Sequence, residues 1–259
     1  MCGRFVLATP AYEIAALFAA EMLIQNAPEP RYNIAPTQDV IVLRERKRDK
    51  QRVLQTMRWG LVPHWADDIS IGSRMINARS ETARSKRAFR DAFASRRCVI
   101  PADGFYEWKT INQRKQPYYI NRADQKPMLF AGLWARWRPP GVADADADAV
   151  VETCTILTTA ASAQVQELHD RMPVMLEQAD AMIWMSQSQS ASTETGNDGD
   201  DDDAGERDEL AALLSRPVAD GLLLMHPVSR MVNRVEVDLP ACIEQIAPEE
   251  PEATLFGPE

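Results

Sequence analysis

The sequence predicts an α+β fold, a single domain built on mostly antiparallel β-sheets with a few flanking helices. Many short strand-like runs and only four stretches of helical character point that way, and no internal repeat competes with the reading. A chain of 259 residues, 45% of them hydrophobic, suits one sizeable core.

Thr9-Pro10 reads as an N-cap followed by proline at the first helical position. Ile14, Leu17, Phe18 and Met22 then give a helical apolar stripe, which Pro28 and Pro30 end. Asp39–Leu43 and Val53–Trp59 read as strands joined by the charged turn RERKRDKQ. Ser80 is expected to cap a second helix that buries Ala88, Phe89, Ala92 and Phe93. Arg97–Pro101, Pro117–Ile120, Met128–Trp134 and Val151–Thr159 are further strands, and Ser162–Leu168 and Ala179–Met185 short helices. The expected domain is 1–248, with a surface insertion at 139–149, an acidic insertion at 186–208 and an acidic tail at 249–259. The longer insertion has too few apolar residues to offset its ordering entropy, so it is expected to be disordered.

The net charge of −9 hides an asymmetry. Residues 1–138 hold 24 Lys and Arg against 13 Asp and Glu, whereas residues 139–259 hold 5 against 25. This fits a basic working face with acidic appendages, or two merely solvated halves; charge alone does not choose. No apolar run is long enough to span a bilayer. The start, MCGRFVLATP, lacks a secretory pattern and is expected to be mature sequence of a cytoplasmic protein. Cys2, Cys98, Cys154 and Cys242 form no CxxC pair, so no disulfide framework is expected. His64, His169 and His226 lack ligand spacing, and no metal is expected.

Cys2 has a chemistry that no internal cysteine shares. Removal of Met1 would place a free α-amine and a thiol on one residue, with ordinary pKa values of about 7.7–8.0 and about 8.5. An aldehyde, such as that of a ring-opened abasic deoxyribose, can condense with the amine to an imine; the thiol can then close a thiazolidine. The alternative is an ordinary second residue. In MINARSET, Asn77 suits orienting such an amine and Arg79 suits a phosphate, or the block is a helix cap with a surface Arg. In PADGFYEW, Glu107 sits among aromatics that would raise its pKa, or points outward to Lys109. In LHDRMP, His169 has charged neighbours and can shuttle a proton, or is structural. In RWGLVPHW, an exposed Trp can stack on a base, or both indoles belong to the core; the latter reading fits at least Trp59.

Together, MCGRF, RYNIAPTQ, RWGLVPHWA, INARSET, PADGFYEW, LTTAA, LHDRMPV and HPVSRMVN resemble, in order, the SOS response-associated peptidase (SRAP) family. The resemblance implies one barrel-like mixed domain with a basic cleft for single-stranded DNA that carries abasic sites. It implies removal of Met1 by the protein's own activity, a Cys2 nucleophile, Asn77 as its positioner, Glu107 as acid and base, and His169 assisting sugar opening. Arg4 and Arg79 would contact phosphates, and Trp65 and Thr158 would lie beside the DNA. No cofactor, metal or membrane is expected, and the protein is expected to act as a monomer, nucleoid-associated during DNA damage if bacterial. Three rivals remain: an N-terminal-nucleophile amidohydrolase or amidotransferase, a non-catalytic reader of modified bases, and a peptidase acting on other proteins.

Overall fold

The structure, a computed structural model, describes residues 2–24, 28–143, 146, 149–186, 209–219 and 221–247. The expected insertion at 139–149 is described only in part; 187–208 of the acidic insertion and the whole tail lie outside the described residues. The strands are β1 (Phe5–Leu7), β2 (Glu21–Met22), β3 (Arg31–Ile34), β4 (Asp39–Glu45), β5 (Arg52–Trp59), β6 (Asn77–Arg79), β7 (Arg97–Ala102), β8 (Gly104–Ile111), β9 (Arg114–Arg122), β10 (Met128–Trp137), β11 (Val151–Ala160), β12 (Arg171–Pro173), β13 (Met175–Leu176) and β14 (Leu223–Pro227). The helices are α1 (Ala11–Phe18), α2 (Ser80–Ala83), α3 (Arg90–Ser95), α4 (Ala163–Gln166) and α5 (Gln178–Met185), and residues 209–215 are helical too.

Five strands close a barrel. Antiparallel pairing runs from β5 through β4, β7 and β10 to β11. A short parallel contact then returns β11 to β5 through Thr153 opposite Arg58 and Cys154 opposite Trp59. Leu43, Leu54, Val99, Phe130, Leu133 and Ile156 are buried in the core that this ring surrounds. A second, antiparallel sheet has the order β14-β9-β8-β1-β3. Phe5 of this sheet packs edge-on to Trp59 and Phe130 of the barrel, at 5.2 and 6.3 Å between centroids. Closure leaves the ring without an edge, which is the expected barrel-like, mostly antiparallel α+β architecture.

Local chemistry departs from expectation at both predicted caps. The Thr9 amide and hydroxyl donate to Asp103 at 2.8 and 2.5 Å; Pro10, without a side-chain bond, holds the cap position of α1. Ile14 and Phe18 are buried as predicted, but Leu17 is exposed and Met22 belongs to the exposed strand β2. The helix stops because Ala19 turns into the left-handed region. The single helix expected after Ser80 is two: Ser80 opens α2 rather than capping it, and α3 buries Ala92 and Phe93. Ser162 does cap α4, accepting from the Val165 amide.

Between β5 and β6 the chain makes a tight excursion. Gly60 has φ +122°, and a Cβ there would lie 2.6 Å from the Gly72 carbonyl oxygen. The amide of Leu61 donates to the Met75 carbonyl, so the loop closes on itself and delivers residue 77 to the flank of β11. No helix among the described residues is long and apolar enough to cross a membrane.

Candidate functional site

β1 fixes where the chain's beginning lies. Phe5 pairs with Phe105 and Val6 with Gly104, and the Tyr106 amide donates to the Arg4 carbonyl at 3.0 Å. The antiparallel course carries Gly3 and Cys2 along β8 toward Glu107. Cys2 is fully buried at the margin of the main core. Desolvation first, then the negative charge of Glu107, pushes its thiol well up; the amino-terminal charge and the Arg4 carbonyl contact draw it partly back.

Asn77 reaches the same point from the other sheet. Parallel pairing with β11 sets Asn77 opposite Ile156, and its Nδ2 donates to the Cys2 carbonyl at 2.7 Å. Its Oδ1 is buried without a hydrogen-bond partner among the described residues. Glu107 is buried on β8, and burial raises its pKa; the amino-terminal charge and His169 counteract part of that rise. The outward pairing of Glu107 with Lys109 is thereby excluded. His169 follows α4, its amide donating to the Val165 carbonyl. Its Nδ1 lies 2.7 Å from Asp170 Oδ1 and accepts from the Arg171 amide at 2.9 Å. These contacts on Nδ1 orient the ring. Cys2, Asn77, Glu107 and His169, drawn from four distant parts of the chain, therefore converge.

The expected DNA contacts divide. Arg79, two residues beyond Asn77 on β6, is exposed and has no hydrogen-bond partner among the described residues. Trp65 is 37% exposed, with the Arg87 guanidinium 4.8 Å from its ring centroid. Arg4 is half-buried, and its Nη1 donates to Asn33 Oδ1 and the Val232 carbonyl at 2.7 and 2.8 Å, an internal tie. Thr158 is a correction: it is wholly buried, because β11 is flanked there by β6 and β12, and its hydroxyl faces the Ala78 carbonyl. Trp59 is a core residue that donates Nε1–H to the Ile76 carbonyl. All four cysteines are buried and unpaired.

Residues with no assigned role hold the site in shape. Arg171 makes a two-pronged bond to Glu81, at 2.6 and 2.8 Å, and donates to the Thr158 carbonyl; it joins α2, β11 and β12 beside His169. Asn33 is fully buried, and its Nδ2 donates to the carbonyls of Val232, Arg234 and Val237. Asp238 accepts from the amides of Tyr32 and Asn33. The blocks RYNIAPTQ and HPVSRMVN thus form a clasp around Arg4. Their signal in sequence was their polar content inside apolar surroundings, which gives no partner by itself.

Residues 1–235 match the family model described as SOS response associated peptidase (SRAP). The chain is 34% identical over 246 residues to abasic site processing protein YoqW of Bacillus subtilis, covering 94% of this chain and 99% of the relative. It is 34% identical over 240 residues to abasic site processing protein YedK of Escherichia coli, covering 91% and 96%. A crystal structure of a Bacteroides thetaiotaomicron protein superposes with a TM-score of 0.76 at 21% identity, over 95% of this chain and all of that one, and shows the shared fold.

Proposed function

This chain belongs to the SRAP family, and from that premise we propose that it processes abasic sites in DNA by bonding covalently to them through Cys2 in single strands. The observation that carries the reading is the Asn77 Nδ2 bond to the Cys2 carbonyl beside the buried Glu107 carboxyl.

Met1 is first removed by hydrolysis, the self-processing step, which frees the Cys2 amine. A protonated Glu107 or His169 promotes opening of the deoxyribose ring to its C1′ aldehyde. Burial disfavours a Cys2 thiolate, so the amine attacks first. Its addition to C1′ gives a carbinolamine. Glu107, whose raised pKa favours the protonated form, donates a proton to the hydroxyl, which leaves as water and yields the imine. The Cys2 sulfur then adds to the imine carbon; the Glu107 carboxylate takes the thiol proton, and the nitrogen, still carrying its own proton as the protonated imine, becomes the neutral ring amine. The thiazolidine retains every atom of the imine and thiol. Arg79 holds a neighbouring phosphate during these steps. The domain 1–248 acts as a monomer, with 139–149, 186–208 and 249–259 as appendages outside the chemistry.

The test mixes purified protein with an oligonucleotide containing one abasic site and separates the mixture on a denaturing gel. A shifted band is expected with the native chain and absent with Cys2→Ala. A Cys2-independent band, or none with the native chain, overturns the reading. Intact mass of the native protein should lack one methionine. Glutaminase activity, binding reversible in denaturant, or cleavage of an unrelated protein would support the three rivals in turn.

A further inference from the structure

Glu107 has a neighbour on its own face of the sheet that no step of the proposed chemistry uses. The hairpin of β8 and β9 turns on Asn112 and Gln113, both in the left-handed region, and this two-residue turn fixes the register. Glu107 is thereby set opposite Tyr118, and Tyr106 opposite Tyr119. Directly opposed side chains share a face, with Cβ atoms roughly 4.5–5.5 Å apart. The two adjacent tyrosines therefore part. Tyr119 is buried on the far face, its ring centroid 5.5 Å from that of Tyr106 and 5.6 Å from that of His226. Tyr118 turns to the face of Phe105 and Glu107. It is half-buried there, and its hydroxyl has no hydrogen-bond partner among the described residues. The phenol is thus free to give a hydrogen bond to an oxygen that a ligand brings in.

Strand order sets this phenol against the nucleophile. In the sheet β14-β9-β8-β1-β3, β8 lies between β9 and β1. Glu107 therefore stands between Tyr118 on one side and the strand leading back to Cys2 on the other. Two strand spacings are about 10 Å, enough for a sugar to lie across β8. Covalent capture needs C1′ at the Cys2 amine, with water leaving beside Glu107. The rest of the sugar then extends toward β9. Once the ring is open, C4′ carries a free hydroxyl three bonds from the aldehyde carbon. That same hydroxyl closes the ring again whenever it reaches C1′.

We propose that Tyr118 holds the C4′ hydroxyl of the ring-opened deoxyribose. The inference rests on the proposed function for the identity of the sugar. The phenol donates to that oxygen and keeps it turned away from C1′, so the aldehyde meets the Cys2 amine instead of its own hydroxyl. Tyr118 forms no covalent bond and keeps its proton; the acid and base steps stay with Glu107 and His169.

The experiment compares the native chain with Tyr118→Phe, which keeps the ring and its packing, in single turnover on two single strands. One strand carries an abasic site. The other carries in its place an acyclic linker ending in an aldehyde, with no hydroxyl able to close a ring. On the abasic strand the variant should crosslink about 3- to 10-fold more slowly, the worth of one neutral hydrogen bond. On the acyclic aldehyde the two proteins should react at the same rate, and the pH profile of crosslinking should keep its shape. Equal rates on the abasic strand would overturn the assignment and leave the covalent reading standing. Equal slowing on both strands, the mark of a structural role, would overturn it too, as would a pH profile that loses a limb, which would make Tyr118 a proton carrier. Failure of the native chain to crosslink to either strand would sink the covalent reading, and the role of Tyr118 with it.

Discussion

At the residue scale the site is governed by burial. The Asn77 amide spends its donor on the Cys2 carbonyl while its Oδ1 stays unpartnered among the described residues, an acceptor in position for a new N–H donor. Asn77→Ala should slow crosslinking by roughly 5- to 150-fold, the cost of about 1–3 kcal/mol for a lost bond at a buried polar group, measured in single turnover on the abasic strand. Glu107 gives a paired prediction in rate and stability. Its folded pKa is raised, so its stabilising contribution is full below the ordinary carboxylate value and is lost as pH rises through the folded value. Glu107→Gln should therefore melt higher than the native chain at pH 8, by about 2–4 °C for each kcal/mol of relief, with the difference shrinking toward pH 4. The same variant should lose the pH dependence of crosslinking that Glu107 provides. A variant that melts lower at pH 8 would show that the carboxylate is better accommodated than its burial implies.

At the element scale two devices bring the side chains of the candidate site together. One is the loop after β5, where Gly60 and Gly72 approach too closely for any side chain. Gly60→Ala should cost about 1–3 kcal/mol, through both its positive φ and the 2.6 Å clash, and should slow crosslinking because β6 carries Asn77; denaturant unfolding and the gel assay check the two halves. The other is the Asn33 clasp. Asn33→Ala removes bonds to three carbonyls and to Arg4, and should destabilise by about 2–4 kcal/mol in denaturant. The long barrel strands were legible because their residues are apolar on both faces or alternate. β1, β3, β6 and β14 were not, since segments of three to five residues hold too few apolar positions to show a period. The expected cap at Thr9 failed because its amide and hydroxyl donate to Asp103, distant in sequence.

At the scale of the whole molecule, charge opposes charge. Segment 187–208 holds eight acidic residues and one Arg, while the segment leading from Arg79 to Arg97 is strongly basic. Deleting 187–208 should tighten binding of single-stranded DNA at 50 mM salt by several-fold, and the gain should vanish by about 0.5 M as screening shortens the reach of these charges. Equal affinity of the two forms at low salt would show that the acidic residues do not act on the basic face. Barrel closure matters at this scale too. The parallel meeting of β5 and β11 brings Trp59, Asn77 and the N-terminal strand to one wall, where Asn77 meets Cys2.

The sequence alone determined the chemical inventory: an amine and thiol together on residue 2 once Met1 is gone, a carboxyl set among aromatics, and an imidazole between charged neighbours. It also determined the class of fold, because strand-length apolar runs outnumber helical ones. Only the tertiary structure decided which of these groups meet. Residues 2, 77, 107 and 169 are brought together by strand register and barrel closure, and such long-range pairing leaves no trace in local spacing. It also decided that Thr158 faces inward and that Arg4 braces a clasp, since exposure belongs to packing and not to residue type.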